Sequence, residues 1–163
     1  MTEQEKELLE KDICARLPYG LKVDFYSRAT NEHVVCTLLG IEPDNEKPVV
    51  AKTDNGSFRF TQDHVKPYLR SLSSMTEDEA RFILGKIVGD REILSVDIGR
   101  DEITANVDDG VSSYEKVWVF YDEIVRSLDL LDYLNARHFD YRGLIGKGLA
   151  IEAPEGMYNT KTE

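Results

Sequence analysis

SLDLLDYLNARHFDYRGLIGKGLAIEAP, residues 127–154, is the stretch on which the reading of this chain turns. Its leucines suit a helix over Ser127–Arg137, which runs into a loop holding His138, Phe139, Asp140, Tyr141 and Arg142 at consecutive positions. Those five residues supply an imidazole, a carboxylate, a phenol and a guanidinium, the groups from which catalytic sites are assembled. Neighbours in a loop rarely aim at one point, however. The same residues make a good fastener, with Asp140 capping backbone amides and Arg142 pairing with a carboxylate or stacking on a ring. The expectation is therefore a structural lock or interaction loop at 138–142, fastening two compact halves. The alternative is an enzyme centred on His138, Asp140 and Arg142.

Upstream of this stretch, the second half of the chain spells α-β-β-β-α. Thr76 and Glu79 have capping-box spacing, Ala80, Ile83, Leu84, Ile87 and Val88 share one helical face, and Gly89 suits the C-terminal cap. Leu94, Val96 and Ile98 then alternate, as do Ile103, Ala105 and Val107, with turns at Gly99–Asp101 and Asp109-Gly110. KVWVFY (116–121) is apolar at both alternating sets of positions, which predicts a strand covered on at least one side by helices.

The first half begins with a helix capped by Thr2 and Glu5, striped by Leu8, Leu9, Ile13 and Cys14, and stopped by Pro18 and Gly20. From Leu21 the period becomes two. Strands are expected at 21–26, 33–41, 48–53 and 57–61, the last two joined across the Asn55-Gly56 hairpin signal. Without helical crossovers these strands form an antiparallel meander, with closure into a small SH3-like barrel as the further expectation. VKPYLR (65–70) leads out of it, and the boundary falls in Ser71-Leu72-Ser73-Ser74. The fold class is thus α+β, divided into residues 1–72 and 73–163.

With 163 residues the chain can bury one good core or two small ones. No apolar run nears the roughly 20 residues that span a bilayer, and the N-terminus MTEQEKELLEK is too charged for a signal peptide, so a cytoplasmic location without membrane contact is expected. Cys14 and Cys36 lack metal-ligand spacing and are expected as small buried apolar residues. The net charge of −11 is uneven: residues 1–72 hold 10 Lys and Arg against 12 Asp and Glu, residues 73–163 hold 10 against 19. Phosphate backbones are repelled by the second half, while the first can still present a local basic face.

That face supplies a nucleic-acid alternative. Lys22, Tyr26 and Arg28 fall on one side of a strand, Arg59 lies between Phe58 and Phe60 on another, and Lys52 is near. Cations interleaved with an aromatic are how single strands are held, though a solvated strand face looks the same. Asp90, Glu92, Asp97, Asp101, Glu102, Asp108 and Asp109 suggest either a magnesium site or a mimic of a DNA phosphate row that would occupy a DNA-binding protein. Four of these seven sit at expected turns, where Asp and Glu are read as a solvated acidic rim. Gly143 to Gly148 lacks the GxxxxGK spacing and the following Ser or Thr of a phosphate loop. His33 and His64 are expected as surface histidines. No cofactor, metal or small-molecule substrate is expected.

PYGLKV (18–23), VKPYLRSLSSMTEDE (65–79) and LDYLNARHFDYRGLIGKGLAIEAPEGMY (131–158) resemble segments of small proteins from phage, prophage and mobile-element regions of gut anaerobic bacteria. The resemblance covers both ends and the centre of the chain. It implies a phage- or mobile-element-associated cytoplasmic protein and carries no reaction or site residues with it. Together with the residue-level reading it points to a non-enzymatic binding or adaptor protein that acts on a protein partner.

Overall fold

The computed structural model describes residues 1–27, 31–42, 45–61, 64–100, 102–108, 110–111 and 114–158, with the backbone alone at Asp122. The fold is mixed α+β and divides into two compact units, Met1–Arg70 with Asn135–Glu163, and Ser71–Leu134.

In the first unit α1 (Glu3–Arg16) starts at Thr2, whose hydroxyl accepts from the Glu5 amide while the Glu5 carboxylate accepts from the Thr2 amide. A single 3-10 turn (Leu17–Tyr19) with Pro18 at its start follows, and Gly20 at φ 68° reverses the chain in a conformation that a side chain would disfavour. Then come β1 (Lys22–Ser27), β2 (Glu32–Ile41), β3 (Val49–Thr53) and β4 (Gly56–Phe60), each antiparallel to the one before. Leu38 pairs with Ala51 and Gly40 with Val50, so Leu39 is the extra residue of a bulge and stands outward.

Two expectations change here. The meander does not close into a barrel: with β5 (Val65–Leu69) and β9 (Ile151–Glu152) the strand order is β4-β3-β2-β1-β5-β9. Closure would bring β4 to the free side of β5, and that side pairs instead, in parallel, with the short β9 (Ile151–Glu152). VKPYLR, expected as an exit segment, forms β5 (Val65–Leu69) against β1, with Pro67 buried at the register position of Val23. A proline discourages a strand assignment inside a sheet because it lacks a donor, which is why the pattern read as a linker.

Leu9, Ile13, Leu21, Val23, Cys36, Leu38, Val49, Ala51, Phe60, Val65 and Leu69 form the core of this unit together with Leu144, Leu149 and Ala150. The C-terminal segment therefore belongs with the first unit, whereas the sequence placed it with the second. Cys36 is buried as expected. Cys14 is exposed, because the buried stripe of α1 runs through Leu9, Asp12, Ile13 and Arg16 and leaves Cys14 on the next face.

In the second unit α2 (Glu77–Val88) carries the expected Thr76–Glu79 capping box and ends at Gly89. Ala80, Ile83, Leu84 and Val88 are buried, while Ile87 is exposed. The antiparallel sheet β6-β7-β8 consists of β6 (Ile93–Ile98), β7 (Glu102–Asp108) and β8 (Tyr114–Phe120). A helical turn α3 (Tyr121–Ile124) leads to α4 (Leu128–Ala136), in which the division between the units falls. Ile103, Ala105 and Val107 of β7 and Val119 of β8 are buried on one face of the sheet.

If Leu144 belongs to the first core, Leu144→Ala costs about 2–5 kcal/mol in urea unfolding, as for other fully buried leucines. A cost below 1 kcal/mol would place the 143–150 segment outside that core.

Candidate functional site

The 138–142 loop is built around a buried ion pair on α1. Asp12 and Arg16, one helical turn apart, have side chains with no solvent exposure. Arg16 Nε and Nη2 donate to the two Asp12 oxygens at 2.8 and 2.9 Å, and Nη2 also donates to the Phe139 carbonyl at 2.7 Å. The Arg16 guanidinium lies 5.2 Å from the Tyr141 ring centre, and Arg142 Nε reaches Asp12 at 3.4 Å. The backbone continues the attachment: the Arg70 amide donates to the His138 carbonyl and the Asp140 amide to the Arg70 carbonyl, both at 2.8 Å. The Arg70 guanidinium covers the buried Phe139 ring at 4.3 Å.

Each of the five loop residues is committed to a local task. Asp140 accepts from the Leu144 and Ile145 amides at 2.7 and 2.8 Å. These are amides of the kind that would cradle an anion in the Gly143–Gly148 turn, and the chain's own carboxylate fills them. Tyr141 donates to Asn135 Oδ1 at 2.8 Å and accepts from Arg142 Nε and Nη2 at 3.2 and 3.1 Å.

His138 has φ 60°, is 3 % exposed and stacks on Tyr158 with ring centres 3.9 Å apart. Its Nε2 lies 3.1 Å from the Tyr19 carbonyl, which places the proton of the neutral ring on that nitrogen. Burial, then the charge of Arg16, then that of Arg70, pull its pKa from 6.5 to about 4 against the Tyr19 hydrogen bond. Burial raises the Tyr158 phenol, whose hydroxyl donates to the Tyr68 carbonyl and accepts from the Lys22 amide. The partners described for the loop lie within the first unit, on α1, at Tyr19 and Arg70, and in the C-terminal segment. His138, Asp140 and Arg142 do not converge on a common point.

The expected nucleic-acid residues are divided. Lys22 and Lys52 register with Thr37 from either side, and Lys22 Nζ donates to its hydroxyl at 2.7 Å. Tyr26 shares the Lys22 face of β1, but the buried Asp24 lies between them, holding His33 Nδ1 at 2.7 Å and the Tyr68 hydroxyl at 3.3 Å. Arg59 clamps Glu42 through Nε and Nη2 at 2.8–3.1 Å, which lowers the Glu42 pKa. Tyr26 and Arg59 do meet in a cleft of about 480 Å³ that Phe25, Phe58, Phe60 and Lys47 also line. Arg28 lies outside the described residues. His33 and His64 are at the surface as expected, and their rings contact Asp24 and Thr61.

Among the described residues no group of three His, Cys, Asp or Glu is placed to hold a metal ion. Asp108 accepts from the Gly110 amide at 2.8 Å, the local turn bond expected of it, while Asp101 and Asp109 lie outside the described residues.

The surface that sequence reasoning missed is on β8. Tyr114, Lys116, Trp118 and Phe120 occupy one face, opposite Asp108, Asn106, Thr104 and Glu102 of β7. Tyr114, Trp118 and Phe120 are 64, 51 and 45 % exposed, and Lys116 Nζ stands 4.4 Å over the Trp118 ring. KVWVFY is thus covered on its valine face alone. The signal was present in the segregation of aromatic from aliphatic residues at alternate positions; counting both as apolar concealed it.

These features define the class: an α+β protein of two units, each with an open antiparallel or mixed sheet. No protein-family model, curated protein or solved structure matches the chain. Among the described residues no helix is long and apolar enough to cross a membrane.

Two tests of the lock follow from the geometry. Asp12→Ala strands a buried guanidinium and should cost about 3–5 kcal/mol in chemical denaturation, far more than an exposed helical ion pair. His138 stays neutral in the fold while the unfolded chain takes up its proton below pH 6.5, so stability declines as pH falls from 6.5 toward about 4. The full loss is on the order of 3 kcal/mol. His138→Asn, which tolerates the positive φ, should flatten the slope between pH 7 and 5; an unchanged slope would assign it to other groups.

Proposed function

We propose that this chain is a non-enzymatic binding protein of phage or mobile-element origin that works in the cytoplasm through a protein partner, and that the outer face of β6-β7-β8 is the contact surface. The observation that carries this is the exposure of Tyr114, Trp118 and Phe120 along a single strand face. Aromatic side chains bury large areas with little loss of conformational entropy and dominate the energetics of protein contacts, so three on one open face form an anchor set. The groups that would have supported catalysis are used up in holding α1, the end of β5 and the C-terminal segment together. The origin rests on the resemblance of the 18–23, 65–79 and 131–158 segments.

A double variant, Trp118→Ala with Phe120→Ala, tests the surface. Bacterial lysate proteins retained by the wild-type chain should be lost from the variant, with the folding stability of the variant within about 1–2 kcal/mol of wild type. Equal retention by both would discard this surface, and turnover of nucleotides or nucleic acid by the purified chain would discard the non-enzymatic reading.

A further inference from the structure

We infer that the partner segment is basic and extended, and that it joins the sheet as a fourth strand along the free edge of β8; this rests on the contact surface proposed above. Charge gives the first argument. Ser71–Leu134 carries 6 Lys and Arg against 15 Asp and Glu, a net −9, while the remainder of the chain is near neutral. On the aromatic face itself Glu102 and Asp108 lie on the neighbouring β7 and Asp97 one strand further on β6, with Lys116 on β8. A surface of that sign attracts cationic segments and repels phosphate backbones and a second copy of this acidic chain alike.

Ring chemistry gives the second. Lys116 already places its ammonium 4.4 Å over the Trp118 ring, so this face holds a cation on an aromatic within the chain. Tyr114, at the other end of the strand and 64 % exposed, offers a second ring beside Asp108, and Phe120 a third beside Glu102. Lysine or arginine side chains from an added strand can lie across these outer rings and end at the carboxylates of β7.

Topology gives the third. Within the described sheet β8 pairs with β7 on one side alone and has no proline, so its other edge presents backbone donors and acceptors along seven residues. Strand addition satisfies those groups, and its period of two brings every second side chain of the incoming segment onto the aromatic face. Lys116 in the middle of the row disfavours a cation directly opposite it. The fitting segment therefore has cations at the outer positions of its facing set and a neutral or acidic residue between them.

Trp118 is the sole tryptophan of the chain, so its emission reads occupancy directly. The probes are synthetic seven-residue peptides of alternating sequence: Lys at the outer facing positions with Val between, the same peptide with Glu for Lys, and the Lys peptide with a central proline. The Lys peptide should shift and saturate Trp118 emission, while the Glu and proline peptides bind at least about tenfold more weakly. Raising salt should weaken the Lys peptide, and Tyr114→Ala with Phe120→Ala should do so by a similar factor. Equal binding of the Glu peptide would overturn the charge assignment, and equal binding of the proline peptide would overturn strand addition. If no peptide binds while the Trp118→Ala, Phe120→Ala variant still loses its lysate partner, the basic-strand inference fails and the contact surface stands. Concentration-dependent self-association that the same double variant abolishes would replace the partner by a second copy.

Discussion

Asp12 and Arg16 are the constraint from which the rest of the first unit follows. A carboxylate and a guanidinium with no exposure are tolerable only if their geometry is close to ideal, because each ion loses its hydration on folding. The helix supplies the i, i+4 spacing that lets the guanidinium grip both oxygens, and the 138–142 loop supplies the rest: the Phe139 carbonyl, the Tyr141 ring and a second guanidinium from Arg142. Neither part is satisfied without the other. The pair thereby specifies which segment covers α1, from more than a hundred residues away, in a way that an apolar patch would not.

The same demand accounts for the chemical richness of the loop. Asp140 saturates two amides of the following turn, Tyr141 bridges Asn135 and Arg142, Arg70 lies on Phe139, and His138 is held neutral between the Tyr19 carbonyl and the Tyr158 ring. The hydrogen bonds among these contacts compensate polar groups for lost water, although His138 Nδ1 and Arg16 Nη1 are buried with no hydrogen-bond partner among the described residues. An active site needs its groups to converge on open space, and these are aimed at separate partners. The second unit shows the opposite use of side chains, with large aromatic rings standing in solvent on β8, one of them beneath the Lys116 ammonium.

Much of this was legible in advance. Capping boxes at Thr2–Glu5 and Thr76–Glu79, the Asn55-Gly56 hairpin and the alternation through β1–β4 and β6–β7 are local signals, set by backbone hydrogen bonding and side-chain period. The misread elements share one cause, that their state is fixed by distant partners. Pro67 sits in a strand because β5 pairs with β1, where Pro67 registers with Val23, and β9 joins only beyond it, at Tyr68 and Leu69. Cys14 faces solvent because Asp12 and Arg16 turn inward, an inversion that hydrophobicity cannot anticipate. Trp118 and Phe120 are exposed because one face of β8 lacks a covering layer.

The sequence by itself determined the α+β class, helices α1, α2 and α4, strands β1–β4 and β6–β8, and the uneven charge, since each follows from short-range spacing or from composition. Tertiary structure alone decided that the first sheet stays open, that the C-terminal segment returns to the first core, and that the aromatic face of β8 is left uncovered. Those outcomes depend on which edges and faces find partners, and pairing between residues far apart in the chain leaves no mark on local periodicity.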